Sequence, residues 1–326
     1  MLPTADELLD GALGFVIPLK TTFRGTRVRE GLLLRGPAGW GEFAPFPEYG
    51  ADESARWLAA AIEAAWIGWP DPVRMTVPVN AIVPAVSAAE AERLVRASGC
   101  TTVKVKVAEP GQSLDADVAR VGAVRGALGS GGSIRVDANG SWSTGEATTA
   151  IRTLSEFVLE YVEQPCASLV ECATLRRIVD IPIAIDEGLR KAEDPHRVIG
   201  LREAADVLVL KVSPLGGVRP ALAIAETYRL SCVVSSALDT SVGLAAGLAL
   251  AASLPELPYA CGLGSGRLLA YDVASDRLLP RDGTLDVRRP TPDTQAAVAM
   301  SAEQMAAWRQ RLSAAYASLN DPTGAP

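Results

Sequence analysis

Five short stretches of this 326-residue chain carry charged residues in corresponding places. Lys104 and Lys106 sit in KVKV, Asp137 in VDAN, Glu163 in VEQ, Asp186 and Glu187 in IDE, and Lys211 in LVLKV. The Val- and Ile-rich residues around them read as buried strands, so each charge stands at or near a strand end. Strand residues two apart share a face, so Lys104 and Lys106 point the same way. Asp137, Glu163 and Asp186, from three neighbouring strands, would line a hard, oxygen-rich pocket suited to Mg²⁺, with Mn²⁺ as the alternative. Lys106 and Lys211 would flank that trio. A lysine beside a divalent cation and a second ammonium should have a lowered pKa and could act as a base. The chemistry expected is removal of the proton α to a substrate carboxylate, with the metal opposing the charge of the enediolate. One charge at a strand end is commonly a solvated rim residue or half of an ion pair, and Lys104–Glu109 or Asp186–Arg190 would be such pairs. Five matched strand ends in one run argue for a site.

The elements that must position these residues recur along the chain. Strands are expected from Thr76, Thr101, Ser133, Phe157, Ile181, Asp206, Ser231 and Tyr259, with Ala/Leu/Arg-rich helical stretches between them. The charged positions are spaced by 31, 26, 23 and 25 residues from Lys106 to Asp137, Glu163, Asp186 and Lys211, about one βα unit each. Eight units predict a closed (β/α) barrel, whose active sites lie at the C-terminal strand ends. The rival open doubly wound sheet usually carries a Gly-rich loop after its first strand, and NAIVPAVSAAE is not one.

Residues 1–75 read differently, as an antiparallel sheet followed by a helix over ADESARWLAAAIEAAWIGW with Asp52 as its cap. They are expected to form the N-terminal part of an α+β domain, with the barrel over 76–285. Residues 286–326 would then pack back on the N-terminal part and end in a disordered tail, DPTGAP. The Gly-rich VSPLGGV after Lys211 is either a plain βα turn or an anion cradle at a helix start.

With a net charge of -7 and a pI near 5.0, the chain has no general pull on nucleic acid or anionic lipid. The partner expected is a small carboxylate substrate held by local positive charge or metal; no pattern fixes an oligomeric state. Five cysteines without C-x-x-C spacing argue against a disulfide framework or thiolate zinc and for a reducing, cytoplasmic setting. The start lacks a signal-peptide pattern, and no apolar run is long enough to span a membrane; Leu244–Leu254 reads as a buried helix. The single histidine, His196, reads as a surface helix residue, and a multi-histidine metal site is impossible.

KVKV at 104–107, VDANGSW at 136–142, VEQP at 162–165, IDE at 185–187 and VLKVSPLGG at 209–217 resemble the enolase superfamily, in its muconate-lactonizing branch. The resemblance implies a modified TIM barrel, (β/α)7β-like, with an α+β capping domain built from both termini. It makes Asp137, Glu163 and Asp186 the metal ligands, Lys106 the general acid/base and Lys211 its partner across the site. Lys104, Asn139 and Glu187 match supporting positions. Arg24, Arg27, Ser236 and Gly262 are weaker candidates for substrate contact. The family chemistry would be a dehydration or a two-base racemisation. A barrel scaffold without turnover and a metal-free Schiff-base lyase using Lys211 are the rivals.

Overall fold

The computed structural model of the chain describes residues 3–23, 25–293 and 300–321, so Arg24 and most of the expected tail lie outside the described residues. After a short helix, Ala5–Leu9, the N-terminal part forms an antiparallel sheet of β1 (Leu13–Phe23), β2 (Thr26–Gly36) and β3 (Gly39–Phe43), in that order. Helix α1 (Ala51–Ile62) follows and widens into a π-turn over Glu63–Ile67. Its N-cap is Gly50 with no side-chain bond, so Asp52 lies in the first turn and is not the cap.

The expected first barrel strand is divided. β4 (Thr76–Pro78) turns away, and β5 (Ala81–Val83) enters the barrel. The chain then alternates: α2 (Ala88–Ser98), β6 (Thr102–Lys106), α3 (Leu114–Leu128), β7 (Ser133–Asp137), α4 (Thr144–Leu154), β8 (Leu159–Glu163), α5 (Leu169–Arg176) and β9 (Ile183–Ile185). It continues with β10 (Val207–Leu210), α6 (Val218–Tyr228), β11 (Ser231–Val234) and α7 (Ser241–Ser253). β12 (Thr284–Asp286) pairs antiparallel with β4, and α8 (Ala302–Leu319) closes the described chain.

β5 to β11 form one parallel sheet in sequential order. The eighth strand expected near Tyr259 shrinks to Cys261 and Gly262, which still close the ring. Cys261 N donates to Pro78 O at 2.7 Å and Asn80 N to Cys261 O at 2.9 Å, while Gly262 N donates to Val234 O at 2.7 Å. Such strands read as apolar runs because both faces are covered: all five residues of β6 are buried. Local chemistry sets the helix ends. Ser87, Ser113, Ser143 and Ser168 each accept from the amide three residues on, and Gly99 ends α2 in the left-handed region.

α7 is buried almost all round, as its Ala/Leu composition predicts; Leu244, Leu248 and Leu250 are wholly enclosed. α8 packs on the N-terminal part, with Trp308, Leu312 and Ala315 buried against Leu32, Phe43, Trp57 and Leu58. His196 sits half-buried in a turn, not a helix. Among the described residues no helix is long and apolar enough to cross a membrane.

Candidate active site

Strand register delivers the charges to one end of the barrel. Lys106 pairs with Asp137 across β6 and β7, and Asp137 with Glu163 across β7 and β8. Asp186 and Lys211 follow directly on β9 and β10. All five, with Lys104, are buried; Glu163 and Asp186 are 0% exposed.

The charges interlock. Lys104 Nζ lies 2.9 Å from both Glu163 oxygens and 3.5 Å from Asp137 Oδ2. Lys106 Nζ donates to Asp137 Oδ2 at 2.5 Å and Asn139 Oδ1 at 2.6 Å. Lys211 Nζ donates to Asp186 Oδ2 at 2.5 Å. Arg190 fixes the other Asp186 oxygen at 2.9 Å, holds Glu187 Oε1 at 2.7 Å and donates to the Tyr49 hydroxyl at 2.9 Å. Asn139 Nδ2 also reaches Glu187 Oε1, at 3.2 Å. The pairing of Asp186 with Arg190 therefore forms, and that of Lys104 with Glu109 gives way to Glu163.

Two left-handed residues set the turns behind these groups. Asn139 has φ 48° and Gln164 φ 38°. Gln164 Oε1 accepts from Asp186 N at 3.1 Å and Gly188 N at 3.0 Å, tying the ends of β8 and β9 together. Gln164 stands beside Glu163 in VEQ, and Arg190 stands one helical turn after Asp186. Those spacings were the available signals for both.

Burial and charge pull the ionisable groups apart. Burial raises Glu163, and Asp137 adds to it against Lys104, so its carboxyl is pushed up to about 7. Burial would also raise Asp137 and Asp186, but lysines on the first and Arg190 with Lys211 on the second hold both below the usual carboxylate range. Burial lowers the Lys211 ammonium despite Asp186. Lys104 is also penalised by burial, but Glu163 and Asp137 outweigh that and raise it. Of the two lysines expected from sequence to be lowered, Lys211 is lowered, with burial as the largest cause.

The cavity above this floor holds about 30 Å³. Lys104, Lys106, Asp137, Asn139 and Lys211 make its polar side. Phe23, Phe46, Ile82, Ala237 and Leu238 make its apolar side, which the charge pattern did not disclose. Ser236 lines it as expected, with its hydroxyl 2.7 Å from that of Ser265 and 2.9 Å from Gly262 O. Gly262 stands behind Ser235, whose hydroxyl would lie 2.6 Å from any Cβ there. Arg27 is exposed on β2 and does not line the cavity.

The donor set suits a hard dication: three buried carboxylates that feel one another, one of them held near 7, with Glu187 Oε2 buried and, among the described residues, without a hydrogen-bond partner. Among the described residues no three carboxylate, thiol or imidazole groups already stand as a metal cluster; each of the three carboxylates is drawn onto a lysine or arginine.

A closed parallel barrel under an antiparallel sheet, with carboxylates and lysines at its strand ends, has counterparts among known proteins. The profile described as Enolase C-terminal domain-like matches residues 86–292, and the one described as Enolase N-terminal domain-like matches 15–65. The chain belongs to the enolase superfamily, and it is an enzyme, a lyase of that superfamily. It is 62% identical to the o-succinylbenzoate synthase of Thermobifida fusca, over 93% of this chain and 95% of that protein. It is 50% identical to the o-succinylbenzoate synthase of Mycobacterium tuberculosis, over 98% of each. Its fold resembles the L-Ala-D/L-Glu epimerase of Bacillus subtilis at TM-score 0.72 and 23% identity, over 89% and 98% of the two chains. It also resembles the muconate cycloisomerase of Pseudomonas fluorescens at TM-score 0.68 and 22% identity, over 91% and 97%.

Proposed function

We propose that this protein is an o-succinylbenzoate synthase. It would dehydrate 2-succinyl-6-hydroxy-2,4-cyclohexadiene-1-carboxylate to 2-succinylbenzoate in menaquinone biosynthesis, as a cytoplasmic, Mg²⁺-dependent enzyme. The observation that carries the reading is the placement of Lys106 and Lys211 beside a buried carboxylate trio, in a chain whose curated relatives bear that name. Five free, buried cysteines support a reducing compartment. The proposed organisation is a catalytic barrel over 76–285 beneath a cap made of 1–75 and 286–326.

Asp137, Glu163 and Asp186 would hold the ion, and its charge would stabilise the enediolate oxygens as they develop. Lys106 takes the proton from the carbon bearing the carboxylate. The C–H electron pair becomes part of the enediolate, and its return expels the C6 hydroxyl. Lys106 delivers its proton to that hydroxyl, so water leaves and the ring becomes aromatic. Asn139 and Asp137 aim the Lys106 Nζ, while Lys211, held by Asp186, faces the enediolate charge from its own side. The apolar side of the cavity excludes water from the carbanionic intermediate.

The test is purified protein, Mg²⁺ and the cyclohexadiene. The reading predicts loss of diene absorbance with formation of an aromatic product; unchanged absorbance refutes it. Lysines from strands on either side of the carboxylate trio favour a second reading, an N-acylamino acid racemase activity on the same site. Deuterium exchange at Cα of N-succinyl amino acids in D₂O reads that activity directly.

A further inference from the structure

Behind the apolar side of the cavity lies a buried arginine that the proposed chemistry does not use. Arg29, on β2, is 2% exposed. Its guanidinium carbon stands 4.7 Å from the centre of the Phe46 ring and 5.7 Å from that of Trp57. Its Nε donates to Leu238 O at 3.1 Å. Phe46 belongs to the N-terminal part and Leu238 to the loop after β11, and both line the cavity. One side chain therefore braces the two halves of that wall.

The brace depends on guanidinium chemistry. A planar cation can lie against a ring while an edge N–H donates in its own plane, and a lysine ammonium on a flexible stem does not combine the two. Leu238 also needs holding. Its φ of 62° is a left-handed conformation that a leucine keeps only where its surroundings impose it. The neighbouring chain is anchored as well: Glu42 accepts from Thr240 N at 3.1 Å and from Thr240 Oγ1 at 2.5 Å, and Asp239 accepts from Ala237 N at 2.9 Å. The Leu238 carbonyl is the point at which Arg29 itself grips this loop.

We propose that Arg29 is a specificity-determining positioning residue, which fixes Phe46 against Leu238 and so sets the apolar wall on which the substrate's carbon skeleton packs. The inference rests on the reading that this cavity takes the substrate. Arg29 touches neither the lysines nor the carboxylate trio, so its loss should move substrate binding and leave the proton-transfer step alone.

The test uses the full chain with Mg²⁺ and the variants Arg29→Lys, Phe46→Leu and their combination. Arg29→Lys should raise KM for the cyclohexadiene at least tenfold, with kcat within threefold of wild type and the Mg²⁺-induced rise in melting temperature unchanged. Phe46→Leu should raise KM by itself. Adding Arg29→Lys to it should raise KM by less than threefold more, because both act on the same wall. A second arm measures amide hydrogen exchange over residues 236–239, expected at least tenfold faster in Arg29→Lys. An unchanged KM, equal losses in kcat and kcat/KM, fully multiplicative effects, or unchanged exchange would each overturn the proposal. Should Arg29→Lys not fold, Arg29→Gln carries the same test with a planar amide N–H donor group retained. Loss of fold in both would assign Arg29 to stability alone and overturn the proposal. The exchange arm needs no substrate. It judges this inference even where wild-type protein leaves the diene untouched, a result that would refute the proposed function only.

Discussion

Replacing Lys104 with methionine isolates the relation between the ammonium groups and the ion. Glu163 is wholly buried, and among the described residues Lys104 is the side chain that donates to its carboxylate, at 2.9 Å to each oxygen. Removing one partner of a buried pair costs about 3–5 kcal/mol, because the other charge is left uncompensated. At about 2 °C per kcal/mol for a chain of this size, metal-free Lys104→Met should melt roughly 6–10 °C below wild type. The same loss should favour Mg²⁺. Two unit charges 4 Å apart interact by about 4 kcal/mol at an effective dielectric of 20, and here one positive neighbour of a dication is gone. The Mg²⁺ dissociation constant, read by calorimetry, should fall at least tenfold. At an Mg²⁺ concentration of about 100 Kd, binding should restore roughly 2.7 kcal/mol of stability. Unchanged or weaker Mg²⁺ binding in a folded Lys104→Met would refute the view that these carboxylates are the ion's ligands.

Lys106→Ala and Lys211→Ala should each lower turnover at least 10³-fold in the diene assay, given the about 10²–10⁴-fold typical of general acid–base catalysis. Both should fold, because Asp137 retains Lys104 and Asp186 retains Arg190; near-normal turnover in either overturns its role. Glu63→Ala should cost about 2–3 kcal/mol in thermal melting, since that carboxylate accepts from Val218 N at 2.5 Å and Arg219 N at 3.1 Å at the start of α6. Burial and Asp239 push Glu42 up to about 7. A raised carboxyl binds more protons folded than unfolded, so its contribution to stability falls as pH rises from about 4.5 to about 7. Relative to Glu42→Gln, wild type should lose up to about 1.4 kcal/mol per pH unit across that window; parallel melting curves would contradict it.

The charged floor of the site was legible because parallel strands enforce it. Register places Lys106, Asp137 and Glu163 side by side, and a charge ending an apolar run stands out in one dimension. The apolar wall was not legible. Phe23, Phe46 and Leu238 come from segments far apart in sequence and look like any core residue. Arg27 lies on the right strand and shares a face with Arg29, yet Arg29 is the residue buried behind the cavity, because 27 stands next to the turn, at the hairpin's exposed end. The Gly-rich VSPLGGV left two readings open. The structure shows a cradled anion there, and it is the protein's own Glu63, delivered by the π-turn at the end of α1. The eighth strand was read too long because YACGLG has strand composition, whereas only Cys261 and Gly262 reach partners on both sides.

A crystal structure with Mn²⁺ and 2-succinylbenzoate tests the proposed site most directly. An anomalous peak is expected with carboxylate oxygens of Asp137, Glu163 and Asp186 all about 2.1 Å away. The Nζ atoms of Lys106 and Lys211 should approach the ring carbon bearing the carboxylate from opposite sides, within about 3.5 Å. A metal bound elsewhere, or a product ring that does not lie between the two lysines, would contradict it.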